Sequence, residues 1–141
     1  MTNANSFIII KQDAVKRNLT NKILDKFLKD HVIVMAQLKQ LTVQEARDLY
    51  VVHSEKLFYN DLVTFMVDGP SMILLLCNKS LSNSDAILLV RDMTQQIREE
   101  FGTSVRENCI HASDSVEAMI RESALFFFQY NDSFFNIMTP A

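Results

Sequence analysis

Cysteine, glycine and proline are scarce in this 141-residue sequence, which contains two of each and no tryptophan. Cys77 and Cys109 lie far apart, so they match the short spacing of neither a metal site nor a redox pair. Two cysteines are also too few for a disulfide-stabilised scaffold. The glycine and proline that are adjacent, Gly69-Pro70, mark a break in the chain before an apolar segment.

Basic clusters and long hydrophobic runs are lacking as well. The formal net charge is −3, and no basic cluster is larger than the pair Lys16-Arg17, which argues against a nucleic-acid-binding surface. The longest apolar run has about the length of one strand, so no segment is expected to span a membrane. Residues 1–6 are polar and resemble no signal peptide. These features predict an intracellular, cytoplasmic protein.

The composition is that of an ordinary globular domain. Hydrophobic residues make up 48% of the sequence and charged residues 22%, which is enough to form a substantial core. We expect a single domain over residues 1–141, with a core from about residue 7 to 128 and a C-terminal tail from 129 to 141. The tail contains Phe134, Phe135 and Ile137, so we expect it to pack against its own subunit or a neighbour.

Hydrophobic patterns predict an alternation of strands and helices. Short apolar runs indicate strands at 7–10, 32–38, 72–77 and 109–110. Amphipathic or capped segments indicate helices at 20–30, from 42 to about 50, 61–66, 85–96 and from 115 to about 127. The order β-α-β-α-α-β-α-β-α predicts an α+β sandwich, with helices over an antiparallel sheet.

Helix caps are predicted at four places. Thr42 and Glu45 have the spacing of a capping box, and Thr20 and Ser84 are expected to cap the second and the longest helix. Asp114 or Ser113 is expected to cap the last helix, with Glu117 in capping-box spacing to Asp114.

Residues 108–115 read NCIHASDS and bring a histidine to the point where the last helix is expected to begin. Unpaired N–H groups and the helix dipole favour an anion there, so His111 could lie beside a bound phosphate. A structural histidine in a polar turn is the alternative that spacing leaves open.

Four stretches of the chain, in order, resemble the nucleoside diphosphate kinase family. Residues 108–115 are similar to its Asn-x-x-His-(Gly/Ala)-Ser-Asp-Ser signature, in which the histidine is phosphorylated. Residues 7–15 resemble its opening strand and Lys-Pro-Asp turn. Phe58 followed by residues 68–70, and residues 97–103 (IREEFGT), resemble two further blocks. The resemblance covers nearly the whole chain, from about residue 7 to 128.

The resemblance implies a ferredoxin-like sandwich with a four-stranded antiparallel sheet. It also implies transfer of the γ-phosphate of ATP to nucleoside diphosphates through a phosphohistidine at His111, oriented by Glu122. Mg²⁺ would bind through the nucleotide phosphates, and no protein metal site is expected. The implied nucleotide-binding residues are Lys11, Tyr50, Phe58, Arg91, Arg98, Asn108 and Ser113.

Among these residues, the lysine and the arginines would offset phosphate charge and the asparagine would bind the sugar or its phosphate edge. Phe58 would stack on the base, and Ser113 would contact the imidazole side of the pocket. Each residue also has an ordinary structural interpretation. Lys11 and Glu122 could be solvated charges, the arginines surface residues, and Phe58 a core aromatic.

The sequence departs from the family in two places. Gln12 replaces a proline, which frees the backbone angle φ and loosens the turn after Lys11. Arg91 and Arg98 are only seven residues apart, so residues 93–96 are all that remains of a longer loop. A lost charge-assisted hydrogen bond there would cost about 1.5–3 kcal/mol. A weakly active or inactive nucleotide-binding or assembly module is therefore the alternative function, and a homo-oligomer is expected to be a dimer at least, with a hexamer doubtful.

Overall fold

One four-stranded sheet organises the part of the chain that the computed structural model describes, residues 4–127. The strands are β1 (Ser6–Ile10), β2 (Val32–Gln40), β3 (Pro70–Cys77) and β4 (Ile110–Ala112). Their order is β2-β3-β1-β4, and every neighbouring pair is antiparallel. Because β3 separates β1 from β2, the sheet has the split β-α-β arrangement of a ferredoxin-like fold. The predicted fold class is confirmed.

Within residues 4–127, six α-helices and one short 3₁₀ helix, Val51–His53, precede, join or follow these strands. The α-helices are α1 (Gln12–Lys16), α2 (Thr20–Leu28), α3 (Val43–Leu49), α4 (Tyr59–Met66), α5 (Asn83–Phe101) and α6 (Val116–Ala124). The segment that was expected to be only a turn after Lys11 contains α1. Among the described residues, no helix is long and apolar enough to cross a membrane.

The two central strands are buried on both faces, as their unbroken apolar runs predict. Successive side chains of a strand point to opposite faces. Phe7 and Ile9 therefore join the core under α3, α4 and α6, whereas Ile8 and Ile10 join the core under α2 and α5. The register places Ile9 of β1 opposite both Ile73 and His111, so the β1–β4 pairing brings the histidine next to the centre of the sheet.

The edge strand β2 contrasts with this centre. It pairs with β3 and is two residues longer than predicted, ending at Gln40. Val32, Ile33 and Leu38 remain substantially exposed, with Leu38 at 57%. A sheet edge with exposed apolar side chains can pair with another chain.

The Thr42–Glu45 capping box is confirmed. The Thr42 hydroxyl accepts a hydrogen bond from the Glu45 backbone N–H at 3.0 Å, and the Glu45 carboxylate accepts one from the Thr42 N–H at 2.9 Å. All partners lie within four residues, so the local sequence is enough to specify this cap.

The other three cap predictions are wrong. Thr20 is the first residue of α2, whose N-cap is Leu19 with no side-chain hydrogen bond. Ser82, not Ser84, caps α5 by accepting from the Asp85 N–H. Three serines and an asparagine surround that start, so spacing left several choices of cap.

The cap of α6 is Ser115, whose hydroxyl accepts from the Ala118 N–H. The predicted caps, Ser113 and Asp114, lie outside the helix. Ser113 still continues the pairing with β1, since its N–H donates to the Phe7 carbonyl at 3.2 Å, and its hydroxyl donates to Glu122 within α6. The last strand also lies further along the chain than predicted, at Ile110–Ala112, so the histidine is its middle residue.

The helix α5 continues to Phe101, beyond the predicted end at residue 96. Residues 93–96 therefore lie within a continuous helix and form no loop. The predicted tail, 129–141, and its aromatic residues lie outside the described residues.

Candidate active site

A cavity of about 540 Å³ opens at the end of the sheet where β1 and β4 meet α5 and α6. Its lining comes from the start of α1, the end of α3, α5, β4 and α6. Six of the residues singled out from the sequence line it, namely Lys11, Tyr50, Arg98, Asn108, His111 and Glu122. These residues span most of the chain and are brought together by the β3-β1-β4 strand order.

His111 is held by a carboxylate on α6. Its Nε2 lies 2.6 Å from Glu122 Oε1, and the imidazole is only 14% exposed. The rings of Tyr50 and His111 are nearly perpendicular, with their centroids 5.5 Å apart. When Nε2 of a neutral imidazole carries the proton that binds a carboxylate, the lone pair resides on Nδ1. This arrangement leaves Nδ1 as the nucleophilic nitrogen.

Glu122 is almost fully buried, so it is not a solvated helix charge. Its Oε1 also accepts a hydrogen bond from Ser113 Oγ at 2.8 Å, and its Oε2 lies 3.3 Å from Arg121 Nη2. Burial alone raises the pKa of Glu122, but the hydrogen bonds from His111 and Ser113 and the charge of Arg121 together bring it below its ordinary value. The carboxylate therefore stays ionised beside the histidine.

Lys11 is a buried cation at the end of β1. Its Nζ donates to the Arg106 carbonyl at 2.7 Å and to Asn108 Oδ1 at 2.9 Å, and it lies 5.2 Å from the centre of the Phe65 ring. Burial lowers the pKa of Lys11 to about 8; Asp13 opposes the shift and Arg98 adds to it. A buried ammonium with a lowered pKa gains from a nearby anion, which would restore its charge.

Arg98 connects α5 to the strand that carries the histidine. Its Nε and Nη2 donate to the Ile110 carbonyl at 3.3 and 2.9 Å. Burial lowers the pKa of Arg98, with the neighbouring Tyr50 opposing the shift. One edge of the guanidinium therefore holds β4, while the side chain also lines the cavity.

The side chain of Asn108 stabilises the loop that precedes β4. Its Nδ2 donates to the Val105 carbonyl at 2.8 Å while its Oδ1 accepts from Lys11. The loop reaches β4 through Cys109, which has a left-handed backbone with φ of 77°.

Three of the expected site residues lie away from the cavity wall. Ser113 is buried beneath it, bonded to Glu122. Phe58 is 45% exposed just before α4 and packs on His53, with ring centroids 5.5 Å apart. Arg91 lies on the exposed side of α5 and lines a neighbouring cavity of about 440 Å³, which shares Arg98, Ala112 and Asp114 with the first.

Comparison with known proteins now identifies the family. The family model described as nucleoside diphosphate kinase matches residues 4–131. The chain belongs to the nucleoside diphosphate kinase family.

Two curated nucleoside diphosphate kinases illustrate the similarity. The chain is 38% identical over 135 residues to that of Geotalea uraniireducens, covering 88% of this chain and 95% of the relative. It is 41% identical over 130 residues to that of Paracoccus denitrificans, covering 84% and 89% respectively.

Solved structures of nucleoside diphosphate kinases are also similar to this chain. The Aquifex aeolicus nucleoside diphosphate kinase superimposes with a TM-score of 0.78 at 33% identity, covering 86% of this chain and 93% of the other. The nucleoside diphosphate kinase of Encephalitozoon cuniculi superimposes with a TM-score of 0.82 at 25% identity, covering 98% and 93%.

The continuous helix α5 replaces the longer loop that the family resemblance implies. Arg91 and Arg98 lie on one helix seven residues apart, which separates them by about 10 Å along its axis. Arg98 therefore reaches the His111 cavity and Arg91 the neighbouring one. Arg98 lines both cavities, whereas Arg91 lines the neighbouring one and not the His111 cavity.

Several cavity residues were missed by sequence reasoning. The most informative are His53, Leu62, Val105 and Arg121, together with Glu117, which had been considered only as a capping residue. In the sequence, His53 lies between Tyr50 and Phe58, which the resemblance implies as nucleotide-binding residues. Its proximity to them was the sequence feature that could have identified it. Val105 is 96% exposed at the opening and carried no signal as a lone apolar residue.

Within residues 4–127, no group of three or more His, Cys, Asp or Glu side chains could hold a metal ion. The cavity instead offers lysine and arginine side chains, which suit phosphate oxygens.

Proposed function

We propose that this chain is a nucleoside diphosphate kinase that transfers the γ-phosphoryl group of ATP to nucleoside diphosphates through His111. The observation that carries the proposal is the 2.6 Å contact from His111 Nε2 to Glu122, made within a cavity that also contains Lys11 and Arg98. Family membership supports the same activity.

The first half-reaction begins with attack by the Nδ1 lone pair on the γ-phosphorus. The N–P bond forms as the bond to the β,γ-bridging oxygen breaks, and ADP leaves with that electron pair. The ring becomes positively charged, and Glu122 stabilises this charge through the Nε2 proton. In the second half-reaction, a β-phosphate oxygen of another diphosphate attacks the same phosphorus and His111 leaves in its neutral form.

The cations neutralise the phosphates in this scheme. Lys11 and Arg98 act from the cavity wall, and Asn108 binds the sugar or its phosphate edge while holding Lys11. Arg91 acts from the neighbouring cavity, as an outer contact for the phosphate chain. Mg²⁺ bound to the phosphates supplies further charge neutralisation.

The aromatic residues and Ser113 have supporting roles. Tyr50 holds the imidazole from one side, and Ser113 holds the Glu122 carboxylate. Phe58 stacks on the base at the opening of the cavity, where its 45% exposure leaves room for a ligand. Stacking tolerates all bases, so broad nucleotide selectivity follows.

We also propose that the protein acts as a homo-oligomer, with a dimer as the basic unit. The support is β2, the outermost strand of the sheet formed by residues 4–127, where Val32, Ile33 and Leu38 are exposed. Sizing by light scattering tests this, and a monomer at micromolar concentration would contradict it.

Labelling with ATP that carries ³²P in its γ-phosphate tests the phosphohistidine. The wild-type protein is expected to acquire acid-labile label that ADP or GDP removes as the triphosphate. His111→Asn loses the label, whereas His53→Asn, which changes another imidazole of the same cavity, still acquires it. Tight nucleotide binding by the wild type without label would support the inactive module instead. Label that persists in His111→Asn would show that another residue is the carrier.

A further inference from the structure

Arg121 lies beside Glu122 on α6 and connects it to a second helix. Its Nη1 donates to the Asp48 carbonyl at the end of α3 at 2.9 Å, and its Nη2 lies 3.3 Å from Glu122 Oε2. The side chain is 38% exposed and also lines the His111 cavity. One guanidinium therefore joins three parts of the site.

The two oxygens of Glu122 have different partners. Oε1 accepts from His111 at 2.6 Å and from Ser113 at 2.8 Å, while Oε2 faces Arg121. A carboxylate held at both oxygens cannot rotate without breaking a charge-assisted bond. Arg121 thus opposes the rotation that would turn Oε1 away from the imidazole.

The bond to Asp48 has a separate consequence. Asp48 lies two residues before Tyr50, whose ring packs against the imidazole at 5.5 Å. Arg121 therefore also supports the backbone segment that carries the Tyr50 ring.

We propose that Arg121 is a positioning residue of the phosphotransfer reaction, holding the Glu122 carboxylate toward His111 and the end of α3 against the same site. The inference rests on the function proposed above. It assigns Arg121 no direct contact with the nucleotide.

The charges around Glu122 give this inference a pH signature. Glu122 faces His111 on β4, Tyr50 after α3 and Arg121 on α6 itself. Burial raises the pKa of Tyr50, so its hydroxyl stays neutral and adds no competing charge. Since Arg121 helps to lower the pKa of Glu122, loss of its charge should raise that pKa. The acid limb of the phosphorylation rate then moves to higher pH.

The test compares Arg121→Gln, Arg121→Lys and the control Arg47→Gln, which changes an exposed arginine of α3 outside this network. In Arg121→Gln, the rate of His111 phosphorylation at neutral pH should fall about tenfold, the lower end for a charge-assisted bond because the side chain is partly exposed. KM for ATP should stay within about twofold, because a positioning residue does not bind substrate. The lysine variant should restore the acid limb but only part of the rate, since it lacks the two-pronged geometry.

A second measurement needs no activity. Carboxyl ¹³C titration of labelled glutamates, with Glu122 assigned through Glu122→Gln, should show its pKa raised in Arg121→Gln and unchanged in Arg47→Gln. If the wild type takes no label but this shift occurs, the proposed function fails and the link between Arg121 and Glu122 stands. An unchanged Glu122 titration in a folded Arg121→Gln protein, or a rise in KM with an unchanged rate, overturns the inference.

Discussion

The interior of the His111 cavity and its rim are built differently. In the interior, His111, Glu122, Lys11 and Arg98 each make hydrogen bonds within 3.3 Å before any ligand binds. The rim consists of His53, Val105 and the adjacent Phe58, and its apolar members are exposed by 45% to 96%. The interior, where we propose that the phosphoryl transfer takes place, is therefore preorganised, whereas the rim, where we propose that the base binds, has room to adjust to a ligand.

Because of this difference, we expect substitutions in the interior to have large effects on the reaction rate and substitutions at the rim to have small effects on nucleotide affinity. Four predictions test it, in order of decreasing effect.

Glu122→Gln should have the largest effect of the four. The amide keeps the shape of the side chain but lacks the charge that stabilises the imidazolium, so we expect His111 phosphorylation to slow by about 100-fold. Rapid-quench labelling at saturating ATP measures this rate. Glu117→Gln, an exposed glutamate on the same cavity wall, serves as the matched control, and equal losses in both variants would contradict a special role for Glu122.

Binding of ADP should weaken by about tenfold as the pH rises through the pKa of Lys11, at about 8. In the folded protein this pKa lies below its ordinary value of 10.5, and a phosphate should raise it again, so binding takes up protons between these two values. Calorimetry in buffers of different ionisation enthalpy measures the uptake. The proton uptake should disappear in Lys11→Met and persist in Lys16→Met, which changes an exposed lysine. Proton uptake that persists in Lys11→Met would show that another group binds the proton.

Phe58→Ala should raise KM roughly fivefold, because stacking on a base contributes about 1–3 kcal/mol and this ring is partly solvated. The maximal rate should hardly change, since the interior is untouched. Steady-state kinetics with ATP and GTP separate the two parameters, with Leu57→Ala as the exposed neighbouring control. A fall in rate at constant KM would show that the rim takes part in the chemical step.

Arg91→Gln should have the smallest effect, less than about threefold in rate, because Arg91 lines the neighbouring cavity. Arg98→Gln, on the same helix, provides the comparison and should slow the reaction about tenfold. The same labelling assay measures both variants. Equal effects would show that the phosphate chain spans both cavities.

Local patterns predicted much of this molecule. The apolar runs at residues 7–10 and 72–77 identified the two central strands, because a strand buried on both faces has few polar positions. The Thr42–Glu45 box predicted the start of α3, since its hydrogen bonds lie within a few residues. Family signatures named His111 and Glu122, although periodicity could not distinguish either from an ordinary polar side chain.

Other features could not be predicted because they depend on distant partners. Ser113 and Ser115 are both possible helix caps, but Ser113 continues the pairing with β1 through its N–H to the Phe7 carbonyl, so α6 begins later and Ser115 caps it. The pattern predicted that α5 ends at residue 96, whereas in the structure the helix continues to Phe101 and buries Ile97 in the core under α2 and α5. Burial of Ile97 thus accompanies the extra helical turn.

The sequence by itself determines where along the chain the strands, the helices and the histidine lie, because these positions depend on neighbouring residues. The burial of Lys11 and the contacts of Arg121 with both Glu122 and Asp48 come from the three-dimensional arrangement. They arise when antiparallel pairing brings β4 beside β1 and α6 beside α3. No local pattern encodes these contacts, since their energies exist only after residues far apart in sequence have met.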